Sequence, residues 1–575
     1  MTANTRTSLQ PASGNGSQLM RRLVTDVAAV RAELALAAAI TLAVGIRAFL
    51  VASYDFPLND GALFYLMSDE VQAHGFRLPA FTAYNAANIP FAYSPIGFYL
   101  AAFLASTFDV PLIELFRILP PLVTSLCVVA FYLLARDLLP SRATVVAAVC
   151  TFAVLPRSFL WLIMGGGLTR SLGFLFAILT LWQVHRAYTR QSWRHVAWSI
   201  VFASLTVMSH LGTVPFVAFS AALFFLFVGR HRFGVLASLA IAVGTVVLTS
   251  PWWASVAAVH GFGPFVAAGA TGGTVFSTPS RGQVLGKLAY FGLGTAEPLF
   301  PLIGALAILG AFASFTRRAA LLPLWWLTII LLDARAGATY ASLPVAMLAA
   351  IAVVNIIVPV IARGDSWPGS VASGSTDGWA VLKMTSTRRR WGVTVVLAVL
   401  LGYGVASAIV RRPDLHAEGR YLTSLTPADR EAMGWVSRYA PSTSRFLIVV
   451  GDAAGGWWSD RVSEWFPVLA NRPSVATVQG TEWLPDGTFR TRERDYNQLQ
   501  GCAIWTASCV ETWARQRRFA FSHVYLPKTL AFPCCAPLDS ALRADPRYRL
   551  VFDGRGAAIY ARRAPLAHAD RLDKW

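Results

Sequence analysis

Asp60 stands a few residues beyond an apolar stretch, 34–52, and opens the segment Asp60-Gly61-Ala62-Leu63-Phe64-Tyr65. An amphipathic stretch, Gly75, Pro79 and the aromatic-proline run Phe91-Ala92-Tyr93-Ser94-Pro95 follow. A carboxylate held at a membrane surface can draw the proton from a hydroxyl as that hydroxyl attacks, so this setting points to chemistry on a lipid-borne substrate. The competing reading is local: Asn59 or Asp60 starts the following helix as its N-cap. Asp69 and Glu70 read as solvated helix charges or ion-pair partners. Three more ionisable groups stand at the ends of apolar segments. Arg170 follows Gly165-Gly166-Gly167, where backbone can approach a ligand closely. His210 follows Ser209, and Arg335 follows Asp333. Such groups are expensive at membrane depth unless paired or functional. Pairing of Arg335 with Asp333, and a satisfied core position for His210, are the structural alternatives.

The elements that must hold these residues are membrane helices. The chain has 575 residues, of which 55% are hydrophobic and 14% charged, with mean hydropathy +0.52. That composition is of a polytopic membrane protein. A span needs about 20 mostly apolar residues, and candidate stretches lie at 34–52, 113–135, 143–163, 168–184, 196–213, 214–229, 233–255, 296–315, 319–332, 341–361 and 391–410. The apolar segment 93–108 is the ambiguous one. If it does not cross, Arg21, Arg22, Arg136, Arg142, the basic loop 185–195, Arg230, Arg232, Arg317, Arg318 and Arg388 to Arg390 all fall on one side. The positive-inside rule makes that side cytoplasmic. The expectation is therefore about eleven spans plus outer juxtamembrane helices, with a cytoplasmic tail at 1–33 and a transmembrane domain at 34–410. Within it lie a first outer loop at 54–112 and a cytoplasmic linker at 363–390. The net charge of +19 then sets topology, and nucleic acid is not an expected partner because no reader motif accompanies the charge. The N-terminal thirty residues read as polar and disordered, and the 34–52 stretch as a retained span, since no small-residue cleavage site follows it.

Residues 411–575 read as an extracytoplasmic α/β domain. Thr426 and Pro427 signal a helix start, 445–450 and 523–526 read as strands, and Asp553-Gly554-Arg555-Gly556 joins a hairpin. Trp457, Trp458, Trp465 and Trp483 are core residues or, alternatively, a sugar-binding platform. Cys502, Cys509, Cys534 and Cys535 all lie here. An oxidising compartment favours disulfides among them over zinc, whose usual ligand spacings are missing. Cys502 and Cys509 enclose a short loop and are the favoured partners on proximity, adjacent Cys534 and Cys535 would be strained if joined, and the connectivity stays open.

The first loop resembles that of the GT-C glycosyltransferases, a superfamily including protein O-mannosyltransferases and lipid A aminoarabinose transferases. The resemblance rests on Asp60 to Tyr65, Gly75, Leu78-Pro79, Phe91 to Pro95, Arg117 to Pro120 and Tyr132 to Arg136. It implies an enzyme that moves a sugar from a polyprenyl-phosphate donor to an acceptor hydroxyl at the outer membrane face, with inversion. Asp60 would be the general base, and Arg170, His210, Arg335 and Tyr93 candidates for substrate and phosphate contacts. The implied partners are the lipid-linked donor, membrane lipids and an acceptor that is lipid, glycan or protein; no cofactor is implied. Tyr93 and Ser94 stand where relatives carry a basic residue, and the 164–170 loop lacks the acids of metal-dependent relatives, so no metal site is expected. A non-catalytic assembly subunit and a lipid or sugar transporter are the alternative functions. The enzyme reading expects Asp60 on the wall of a cavity between the two domains.

Overall fold

The structure, a computed structural model, describes residues 14–271, 295–332, 336–363, 387–410, 422, 425–485, 487–530 and 534–563. Two parts follow one another in the chain. The membrane part contains α1 (Gly14–Ala52), α2 (Ala62–Ala73), the two-residue strands β1 (Phe81–Thr82) and β2 (Ile89–Pro90), α3 (Ile96–Phe108), α4 (Leu112–Leu138), α5 (Arg142–Val154) and α6 (Gly167–Arg190). It continues with α7 (Trp193–Ser209), α8 (Val214–Phe224), α9 (Arg232–His260), α10 (Gly263–Thr271), α11 (Leu302–Thr316), α12 (Leu321–Leu332), α13 (Gly337–Ala352), α14 (Val358–Arg363) and α15 (Thr387–Ile409).

Each of the eleven expected spans contains a helix. Seven helical stretches are long and apolar enough to cross a bilayer by length and composition. Trp193–Ser209, Arg142–Val154, Leu302–Thr316 and Leu321–Leu332 are shorter. Helix α3 has 13 residues, the same length as α5. Two expectations are corrected. The described part of the N-terminal tail is helical from Gly14, continuous with the first span. The expected span 143–163 stops at Val154, because Pro156 offers no N–H and disfavours helix in the residue before it. The carbonyl this break leaves at Ala153 is taken by Arg47, which is fully buried and donates at 3.1 Å.

The C-terminal part contains α16 (Pro427–Tyr439), β3 (Phe446–Ile448), α17 (Arg461–Leu469), α18 (Thr488–Gln500), α19 (Ala507–Arg517), β4 (His523–Pro527), α20 (Ala536–Ala544), β5 (Tyr548–Asp553) and β6 (Ala557–Arg562). Thr426 caps α16 in a reciprocal capping box with Asp429. The sheet order is β3-β4-β6-β5, with β3 and β4 parallel and the other pairs antiparallel. Cys502 pairs with Cys509 and Cys534 with its neighbour Cys535, the combination the sequence disfavoured, while Cys127 and Cys150 are free. Trp465 and Trp483 are buried; Trp457 is half-buried and Trp458 exposed.

The two parts share a core. One apolar cluster runs from Phe56, Met67 and Phe98 of the membrane part through Leu168 to Trp465, Phe466 and Tyr525 of the C-terminal part. The first loop is therefore wedged between bundle and C-terminal domain, and Asp60 sits in that wedge.

Candidate active site

Asp60 does not cap a helix. Gly61 is the N-cap of α2, with φ 127°, and no side chain caps that terminus. The Asp60 carboxylate instead grips Arg170, three residues into α6, through two hydrogen bonds: Nη1 donates to Oδ2 at 2.7 Å and Nη2 to Oδ1 at 3.0 Å. This fork-to-fork geometry is the strong form of an ion pair. The Gly166 amide donates to both the Asp60 carbonyl, at 2.9 Å, and Oδ1, at 3.2 Å. A Cβ at Gly166 would lie 2.9 Å from the carboxyl group, so the glycine run is what lets the two segments meet.

A second pair closes the other side. Glu464, in the first turn of α17, accepts from the Gly61 amide at 2.9 Å and from Arg461 at 2.7 Å. The next residue, Trp465, donates from Nε1 to the Asn59 carbonyl at 2.8 Å. Tyr84 donates to the Glu464 carbonyl at 2.6 Å. Two carboxylates and two guanidiniums thus occupy one buried junction, balanced in charge.

The electrostatics follow. Burial opposes ionisation of the Asp60 carboxyl, but Arg170, with smaller help from Arg461 and the Gly166 amide, outweighs it and holds the pKa at about 2. Burial pushes the Glu464 carboxyl up, against the pull of Arg461. Asp60 is therefore an anion at any ordinary pH, and while Arg170 holds it, a weak base.

The guanidinium of Arg170 also stacks over Trp161, 4.7 Å from the ring centroid, and Arg157 lies 5.9 Å from the same ring. Arg157 Nε donates to Thr339 at 3.0 Å. Of the residues expected from sequence, Tyr93 is within electrostatic reach of Arg170 and packs between Phe64, at 4.7 Å, and Trp483, at 4.8 Å. His210 packs against Gly173, one turn along α6 from Arg170, and hydrogen-bonds Thr213 at 2.9 Å, which in turn bonds the Tyr340 hydroxyl at 2.9 Å. Arg335 and Asp333 lie outside the described residues. Glu70 is buried rather than solvated, accepting from the Ala83 amide at 2.6 Å, whereas Asp69 is exposed.

The sequence reading missed Arg157, Trp161, Arg461 and Glu464. Arg157 carried a signal: it falls inside the expected span 143–163, where an unpaired cation is costly. Nothing local marks Glu464, which meets Gly61 across 403 positions. Arg170 and its neighbours leave the Asp60 side chain 23% exposed. Among the described residues, no three His, Cys, Asp or Glu side chains group as metal ligands.

With this geometry in hand, the likenesses to known proteins are informative. The family model of dolichyl-phosphate-mannose-protein mannosyltransferases matches residues 92–254, a stretch that holds Tyr93, Arg170 and His210 but not Asp60. In three dimensions the chain is similar to ArnT from Cupriavidus metallidurans, solved bound to undecaprenyl phosphate. The identity is 14% and the TM-score 0.51, over 91% of this chain and 97% of that one. The chain has the GT-C fold. Two further GT-C structures are similar. The oligosaccharyltransferase AglB from Archaeoglobus fulgidus, solved with an inhibitory peptide and a dolichol-phosphate, matches at 14% identity and TM-score 0.53, over 86% of this chain and 69% of its own. The arabinofuranosyltransferase AftD from Mycobacteria matches at 15% identity and TM-score 0.55, over 91% of this chain and 40% of its own. No curated protein sequence matches the chain. The GT-C likeness spans both the bundle and the C-terminal domain, and its apolar helices make this a multi-pass membrane protein.

Proposed function

We propose that this protein is a membrane glycosyltransferase that moves a sugar from a polyprenyl-phosphate-linked donor to an acceptor hydroxyl at the outer membrane face, with inversion. The observation that carries the reading is the Asp60–Arg170 pair, held where bundle and C-terminal domain meet in a GT-C fold. Asp60 is the general base. In the resting arrangement Arg170 suppresses its basicity. A donor phosphate is a competing partner for that guanidinium; as Arg170 turns to it, Asp60 regains a normal carboxylate's proton affinity and can accept the acceptor's proton. Arg157, on the same tryptophan ring, is the second cation on the side of the departing phosphate. His210, against Gly173 one turn from Arg170, and Tyr93, within electrostatic reach of Arg170, complete the set.

ArnT bound to undecaprenyl phosphate and AglB bound to a dolichol-phosphate support a lipid-linked donor here. A non-catalytic assembly role draws on one fact, that Asp60 is already fully paired. Turnover separates the two. Protein in lipid nanodiscs is incubated with polyprenyl-phosphate-linked pentoses and hexoses together with a panel of hydroxyl acceptors (oligosaccharides, glycolipids and Ser/Thr peptides), and glycosylated acceptor and released polyprenyl phosphate are both measured. The enzyme reading expects release with at least one donor, and loss of roughly 10²–10⁴-fold in Asp60→Asn; equal release by wild type and variant removes Asp60 from the chemistry.

A further inference from the structure

We propose that Glu464 and Trp465 are positioning residues for Asp60, so that the C-terminal domain sets the geometry of the base; this rests on the reading of Asp60 above. The peptide groups on either side of Asp60 are held by two consecutive side chains of one helix. Trp465 takes the carbonyl of Asn59 and Glu464 the amide of Gly61. Both residues are buried, at 0% and 4% exposure, so both bonds are shielded from water. The helix that presents them is itself fixed. Asp460 caps it, accepting from the Ser463 amide at 2.9 Å, and Tyr84 of the first loop ties the Glu464 carbonyl. Trp465 further packs edge-on against Phe56 at 5.1 Å.

Gly61 is at positive φ, and a Cβ there would lie 2.8 Å from the Gly166 nitrogen. The backbone at Asp60 is thus pressed between the glycine run on one side and α17 on the other. Arg170 fixes the carboxylate only while it is bound to it. When a phosphate takes that guanidinium, the carboxylate keeps the Gly166 amide, and the Asn59 and Gly61 bonds are what fix its backbone from the side of the C-terminal domain. Proton abstraction demands contact geometry, and a displacement of about 1 Å costs on the order of 10²-fold in rate.

The test compares Glu464→Ala, Glu464→Gln and Trp465→Phe with Arg430→Ala. Arg430 pairs with Asp55 and stacks on Phe56, so its loss weakens domain docking while leaving both clamp hydrogen bonds in place. With full-length protein in nanodiscs and a turned-over polyprenyl-phosphate sugar, Glu464→Ala is expected to lower kcat by roughly 10–100-fold with donor KM within about threefold. Glu464→Gln, which still offers an oxygen to the Gly61 amide, should recover part of that loss. Trp465→Phe, which keeps the ring and removes only the donor, should lose less, and Arg430→Ala less than twofold by the same reasoning. Independently of activity, hydrogen exchange at the Gly61 amide should accelerate in Glu464→Ala and not in Arg430→Ala. Unchanged kcat in Glu464→Ala, or an equal loss in Arg430→Ala, overturns the proposal. So does unchanged Gly61 exchange. If Glu464→Ala fails to fold, the same criteria apply to Glu464→Gln and Trp465→Phe. Absence of turnover in the wild type would count against the glycosyltransferase reading, leaving the exchange measurement to decide the clamp.

Discussion

Helix α6 carries two arginines that look alike and are built differently. Near its start, Arg170 binds Asp60 with 8% and 23% of the two side chains exposed; near its end, Arg186 binds Asp137 with 13% and 15%. Each guanidinium stacks on a tryptophan, Arg170 on Trp161 at 4.7 Å and Arg186 on Trp182 at 4.4 Å. The difference lies in the carboxylate's support. Asp137 sits in the last turn of α4 and accepts from Trp182 and Arg186, two residues one turn apart on α6. That is helix-to-helix stapling with regular backbone. Asp60 stands on irregular backbone that a glycine run admits and the C-terminal domain pins, with a second carboxylate–guanidinium pair alongside. A pair that only closes a bundle needs none of this. The contrast argues that Asp60 is held in place for a purpose its own ion pair does not explain.

The comparison can be broken at its strongest point first. Asp60→Asn leaves a buried guanidinium without its charge partner, and is expected to cost about 3–5 kcal/mol as well as lowering transfer by roughly 10²–10⁴-fold. Adding Arg170→Gln should restore most of the melting temperature and none of the turnover. In Asp137→Asn with Arg186→Gln, turnover is expected within about twofold of wild type, any loss being confined to stability and about 1–3 kcal/mol. If the Asp137 variants lose transfer as fully as the Asp60 ones, the distinction between the two pairs fails.

Gly166→Ala sharpens the same contrast with one methyl group, placed 2.9 Å from the Asp60 carboxyl. A kcat loss of about tenfold is expected from the shifted carboxylate, with the protein still folded by size exclusion and melting. A smaller effect belongs to pH. The folded-state pKa of Asp60, about 2, lies below the ordinary carboxylate value. Its contribution, about 2–3 kcal/mol by linkage, is therefore complete above about pH 5. It is lost as pH falls through the ordinary value toward 2. The melting-temperature gap between wild type and Asp60→Asn should narrow steadily from pH 5 to pH 3; a constant gap would mean that the ion pair carries no such linkage.

Much of this was legible in the sequence, for physical reasons that also mark its limits. Apolar runs and alternating arginine clusters report burial in lipid and charge at its edges, which are local properties, so the helices fall where hydropathy puts them. Asp60 and Arg170 stood out because an acid beside a span and a cation after three glycines are costly without a partner. That they partner each other is a long-range fact, joining positions 110 apart. Pro156 in the 143–163 segment announced a break that length alone obscured. Glu464 and Trp465 were illegible because an acid and a tryptophan in an amphipathic helix look like any others until the first loop packs on them. The vicinal Cys534–Cys535 pairing was likewise disfavoured by reasoning that saw only the two residues.

The most direct test is a structure of the protein with undecaprenyl phosphate added in nanodiscs. The account expects the phosphate group within hydrogen-bonding distance of Arg170 or Arg157, the Asp60 carboxylate released from Arg170, and the Gly61–Glu464 and Asn59–Trp465 bonds unbroken. Phosphate bound elsewhere, with the Asp60–Arg170 pair intact, would contradict it.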